Sequence, residues 1–121
     1  YGSGRGYIKA LLGGVGCQVH EIRGEMNPGF GGIHPEPLGR YLAALAAAIQ
    51  AGYGTMGIAT DGDGDRCVFI DEKGDHITSD LTLGLVSQRL LSEHGPGTVI
   101  LDLRCSKAVR ELIESLGGLF D

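Results

Sequence analysis

Asp61-Gly62-Asp63-Gly64-Asp65-Arg66 sets three carboxylates on alternate residues, with only glycine between them and an arginine behind. Folding alone gives little reason for such a run, because like charges this close repel and each carboxylate prefers water unless a cation offsets the repulsion. The flanks are of opposite character. Thr55-Met56-Gly57-Ile58-Ala59-Thr60 leads in and Cys67-Val68-Phe69-Ile70-Asp71 leads out, both short, apolar and partly β-branched. That pattern predicts two strands with the acidic run as the loop between them. A hard divalent ion answers the charge problem, since Mg²⁺ and Ca²⁺ take oxygen ligands and alternate positions can turn their carboxylates toward one centre. Gly62 and Gly64 leave the backbone free to curl around it. Arg66 would be unfavourable beside a cation unless both share an anion, and a phosphate satisfies a metal and a guanidinium fork together.

Two other readings compete. Asp-Gly pairs are ordinary turn formers, and a solvated acidic loop needs no ion. An EF-hand-like calcium loop, in a non-catalytic metal-binding module, would use Asp61, Asp63 and Asp65 as its first ligands and Glu72 as its last. That alternative needs glycine where Arg66 stands, and helices rather than strands on either side.

At 121 residues the chain is one domain, or one domain with a piece of another. A hydrophobic content of 42% and a charged content of 21% are those of a globular chain with enough apolar material for a core. The net charge of −5 argues against a nucleic-acid backbone as principal partner but allows a phosphorylated small molecule held through a metal. Cys17, Cys67 and Cys105 are odd in number and far apart, which predicts thiols used as small buried residues in a reducing compartment, the cytoplasm. No apolar run reaches membrane-spanning length and no secretory signal is recognisable, so no membrane partner is expected. The opening Tyr1 suggests a piece of a longer polypeptide.

Along the chain, Ile8, Leu11, Leu12 and Val15 recur at helical spacing and stop at Gly16. Cys17 to Ile22 alternates and predicts a half-buried strand. A loop over residues 23–37 carries Pro28, Pro35 and Pro37, and an alanine- and leucine-rich helix follows from Leu38 to Ala51. The two strands around the acidic loop are placed at Met56–Ala59 and Cys67–Ile70. A turn over residues 72–75 then precedes a helix from Leu81 to about Glu93, capped by Ser79 or Asp80 and apolar at Leu83, Val86, Leu90 and Leu91. Thr98 to Leu103 reads as a buried strand, Ser106 as the cap of a further helix, and Gly117-Gly118 as the prelude to another strand. Alternation of this kind implies an α/β architecture, a mainly parallel mixed sheet with flanking helices.

Strand, DGDGDR, strand and an Asp-Glu-Lys-Gly turn together resemble the metal-binding region of the α-D-phosphohexomutases, the family of phosphomannomutase and phosphoglucomutase. Tyr1-Gly2-Ser3-Gly4-Arg5-Gly6 is similar to the glycine-rich entry of that family's second domain. Asn27-Pro28-Gly29-Phe30 and His34-Pro35-Glu36-Pro37 resemble the loop before its second helix. Asp102-Leu103-Arg104-Cys105-Ser106-Lys107-Ala108 is similar to the first strand–helix junction of the third domain. The resemblance implies a second domain over residues 1–76 and a truncated third domain over residues 77–121. It implies that Asp61, Asp63 and Asp65 hold Mg²⁺, that Arg66 steadies phosphoryl oxygens, and that Arg104 is a basic residue facing the active site. A phosphoryl group would move between O6 and O1 of a hexose through a phosphoserine and a bisphosphorylated sugar. The partners implied are a hexose phosphate and the remaining domains of a parent chain. The family's Ser-His-Asn-Pro type segment, its sugar-selecting loop and its fourth domain have no counterpart among these residues, so the chain by itself is expected to be inactive.

The remaining candidates are weaker. His20, His34, His76 and His94 lack partners at ligand or catalytic spacing, and Ser3 and Ser106 lack the context of a nucleophile. Gly2, Gly4 and Gly6 fall short of a dinucleotide fingerprint.

Overall fold

Alanine and leucine at residues 43–48 favour helix, and the computed structural model, which describes residues 1–121, forms one there. After helix α1 (Tyr7–Gly14) and a short 3₁₀ turn (Phe30–Gly32), a 3₁₀ turn at Gly39–Leu42 runs directly into helix α2 (Ala43–Gln50). Leu42 and Ile49, seven apart, are buried on one face of this pair of elements. The chain then enters strand β1 (Gly57–Thr60), turns through the acidic loop, and returns as β2 (Cys67–Ile70). The strands are antiparallel, with Gly57 opposite Ile70 and Thr60 opposite Cys67. Gly57 belongs there for a packing reason: a Cβ on it would sit 3.0 Å from the Leu45 side chain and 3.2 Å from that of Ile70. The two-residue strand β3 (His76–Ile77) completes a sheet of order β1-β2-β3.

The chain folds as two compact units, Tyr1–His76 and Ile77–Asp121. The second holds helix α3 (Ser79–His94), strand β4 (Thr98–Val99), helix α4 (Lys107–Ser115) and strand β5 (Leu119–Phe120), with β4 and β5 parallel. Its core is Leu91, Val109 and Ile113, surrounded by Leu83, Val99, Leu101, Cys105 and Leu116. The α/β class expected from the sequence is observed, with parallel pairing in the second unit and an antiparallel hairpin in the first.

Several expectations are corrected. Cys17 to Ile22 forms no strand, because no second strand lies along its backbone and alternation alone makes no ladder. In α1 Leu11 stays exposed, as does Val15 just after its end, and only Ile8 and Leu12 are partly covered. In α3 the buried face is Gly84, Ser87 and Leu91, whereas Val86 and Leu90 are exposed. Size decides this face: a Cβ on Gly84 would already be 3.2 Å from Leu112, so a bulky residue could not replace it. The cap of α3 is Thr78, whose Oγ1 accepts the Leu81 N–H at 3.3 Å, one residue earlier than expected. Ser106 occupies the cap position of α4 without a capping bond from its hydroxyl. Instead Asp80 Oδ1 accepts the Ser106 N–H at 3.3 Å and the Cys105 thiol at 3.5 Å. The strand expected over Thr98–Leu103 shortens to β4 because β5 pairs with it only as far as Phe120; beyond that, the Asp121 N–H donates to the Val99 carbonyl at 3.1 Å and the Leu101 N–H to the Asp121 carbonyl at 2.9 Å. All three cysteines are free thiols, but Cys17 and Cys67 are exposed rather than buried.

Candidate metal centre

The hairpin register leaves residues 61–66 as the connection between β1 and β2. The Asp61 N–H donates to the Arg66 carbonyl at 3.2 Å and closes the neck of this loop. Gly64 sits at φ +81°, a left-handed turn that a side chain would strain. Two neighbouring segments brace the loop from outside. The Gly62 N–H donates to the Pro35 carbonyl at 3.0 Å, and the Gly62 carbonyl accepts the Ser3 N–H at 3.0 Å. Gly2 approaches so closely that a Cβ there would lie 2.5 Å from the Gly62 carbonyl oxygen. The glycine-rich entry is thus the support of the acidic loop, a role that spacing did not reveal.

Within the loop the three aspartates are not equivalent. Asp61 is 3% exposed, whereas Asp63 and Asp65 face solvent. Asp61 Oδ1 accepts the Gly64 N–H at 3.0 Å and the Arg66 N–H at 3.1 Å, and Asp61 Oδ2 accepts the Arg66 Nε–H at 2.6 Å. Burial pushes the Asp61 carboxyl up, but the backbone and guanidinium hydrogen bonds from Arg66 outweigh it and hold the group well below the ordinary carboxylate range. Asp65 moves the other way, raised by its carboxyl contact with Asp61 and by the charges of Asp63 and Asp61.

One oxygen from each of Asp61, Asp63 and Asp65 lies within 4.8 Å of the others. Oxygens on opposite sides of a Mg²⁺ ion are about 4.2 Å apart, so the observed spacing is of the order that one hard cation spans. The donors are oxygens alone, which fits a hard divalent cation rather than a soft one. The EF-hand alternative fails on topology. The loop joins two strands, and Glu72 lies beyond the far end of β2, four strand residues or roughly 13 Å away.

Arg66 is shared among anions. Beyond Asp61, its Nη1 lies 3.3 Å from Glu36 Oε1 and its Nε 3.6 Å from Asp65 Oδ1. The hydrogen bonds, that to Asp61 foremost and then that to Glu36, raise the guanidinium pKa further. Glu36 stands in the sequence only as a member of the His34-Pro35-Glu36-Pro37 segment, and nothing in that pattern assigns it to the guanidinium of Arg66. Arg104 belongs to the second unit, where its guanidinium forks onto Asp102 at 3.2 and 3.0 Å and its backbone N–H reaches the same carboxylate at 2.9 Å. That pairing lowers the Asp102 carboxyl to about 2, while the Arg104 side chain remains 90% exposed. No helix is long and apolar enough to cross a membrane.

Residues 1–74 match the family described as phosphoglucomutase/phosphomannomutase, alpha/beta/alpha domain II. The chain is 36% identical over 108 residues to a probable phosphoglucosamine mutase of Methanopyrus kandleri, covering 89% of this chain and 24% of that protein. It is 32% identical over 117 residues to a phosphoglucomutase/phosphomannomutase of Thermococcus kodakarensis, covering 97% of this chain and 26% of that one. A crystal structure of a phosphoglucomutase/phosphomannomutase family protein from Burkholderia thailandensis superposes with a TM-score of 0.91 at 28% identity, over 98% of this chain and 26% of that one. The chain spans about a quarter of the length of the relatives it matches.

Proposed function

The chain belongs to the phosphoglucomutase/phosphomannomutase family, and from that membership we propose that it is the cation-holding part of a phosphosugar mutase. The parent enzyme would move a phosphoryl group between O6 and O1 of a hexose, mannose or glucose phosphate, through a phosphoserine and a bisphosphorylated sugar. Residues 1–76 would be its second domain and residues 77–121 the start of its third. A cytoplasmic setting suits three free thiols and a phosphorylated substrate.

The observation that carries this reading is the convergence of Asp61, Asp63 and Asp65 with Arg66 on one hairpin loop. The three carboxylates would hold Mg²⁺, with Asp61 fixed by its backbone bonds and the exposed pair closing around the ion. A cation bound there would supply a Lewis acid for a phosphoryl oxygen. Arg66 keeps its Nε on Asp61 and its Nη1 on Glu36, which leaves Nη2 to donate to a phosphoryl oxygen as charge develops there. Arg104 would serve as a second basic group once Asp102 releases its fork.

Calorimetric titration of the 121-residue chain with Mg²⁺ and Mn²⁺ tests the site. We expect weak binding, since no phosphoryl oxygen is present to complete the set, and its loss in Asp63→Ala. Equal heats from the two proteins would remove the site.

A further inference from the structure

We propose that Glu36 is a positioning residue for Arg66, holding the guanidinium so that it does not compete with a cation for Asp65; this rests on the cation-site reading above. Arg66 is a cation tethered beside the same carboxylates that would bind a free one. Its Nε is committed to Asp61 at 2.6 Å, while Asp65 Oδ1 lies only 3.6 Å from that nitrogen. The far end of the fork therefore has two anions within reach, and the structure places Nη1 on Glu36 at 3.3 Å.

Glu36 is held for this task. Pro35 and Pro37 restrict the backbone on both sides of it, and Pro37 is buried. The Pro35 carbonyl accepts the Gly62 N–H at 3.0 Å, so the loop carrying Glu36 is fastened directly to the loop carrying the aspartates. The other carboxylate oxygen of Glu36 faces His34 Nδ1 at 3.9 Å, and the His34 ring lies 5.8 Å from that of Tyr41. Without the Glu36 charge, the nearest remaining partner for the fork is Asp65. A bidentate pair there would have to be broken before a metal could enter.

The probe is Mn²⁺ alone, titrated into the full 121-residue chain and followed by the paramagnetic resonance of free Mn²⁺. With Arg66 present, Glu36→Gln should weaken binding about fivefold, and in an Arg66→Ala background by less than about twofold, because only the field of one exposed charge remains. Glu36→Asp, which keeps the charge but shortens the reach, should behave like Glu36→Gln; it also serves if Glu36→Gln fails to fold. Equal weakening with and without Arg66, or wild-type affinity in Glu36→Asp, would mean that Glu36 acts only through its charge and would overturn the proposal. Binding by the wild type with no change in Glu36→Gln would do the same and leave the cation site standing. No binding by the wild type would remove the site and Glu36's role with it.

Discussion

Asp61 is the one ligand candidate taken out of water, and its partners explain how a carboxylate stays ionised there. Two backbone N–H groups and a guanidinium replace its hydration. Asp71, at the other end of β2, shows the same principle in a structural setting. Its Oδ1 accepts the N–H groups of Lys73 and Asp75, both at 2.9 Å, and these bonds, that of Asp75 foremost, lower its carboxyl below the ordinary value. A carboxylate whose pKa is lowered by folding adds stability above its unfolded value of about 3.9, and that stability fades as pH falls through the lower folded value. Wild type should therefore melt above Asp71→Asn at pH 6, with the gap narrowing below about pH 4. Melting curves from pH 6 to 2 measure it, and a gap that does not change with pH would show that the carboxylate charge is irrelevant to the turn.

At the scale of elements, the site is a hairpin connection pressed between two loops. The N-terminal glycine segment lies under it, with Gly2 against the Gly62 carbonyl and Gly4 so placed that a Cβ would be 2.8 Å from Thr60 Oγ1. Substitution at Gly2 must displace backbone rather than a flexible side chain. Gly2→Ala should cost about 1–3 kcal/mol by overpacking and weaken Mn²⁺ binding by shifting the loop. Denaturant melts read the first effect and the Mn²⁺ titration the second. Unaltered values of both would mean that the segment does not support the loop.

At the scale of the whole molecule, two compact units each bury a small core. The metal candidates lie in the first and Arg104 in the second. On the proposed reading the phosphoryl donor would be a serine of the Ser-His-Asn-Pro type, and no such segment occurs among these residues. The 121-residue chain should bind a divalent cation yet give no turnover of glucose 1-phosphate with a bisphosphate activator in a coupled assay. Turnover above buffer, in protein free of host mutase, would place a nucleophile within these residues and contradict the proposed division of labour.

The sequence by itself determined the hairpin and its acidic loop, because charge repulsion, glycine freedom and flanking apolar runs are local properties. Helices α2, α3 and α4 were legible for the same reason, through periodicity and propensity. Tertiary structure alone decided what depends on neighbours. Cys17–Ile22 alternates like a strand, but a strand exists only when another pairs with it. The buried face of α3 runs through Gly84 and Ser87 because α4 needs close approach, which hydrophobicity does not encode. In the site, spacing could bring three aspartates together but could not say which is buried. Nor could it say that Glu36, thirty residues before Arg66, shares its guanidinium. That contact arises because the Pro35 carbonyl is bonded to Gly62, a pairing between loops that no local pattern announces.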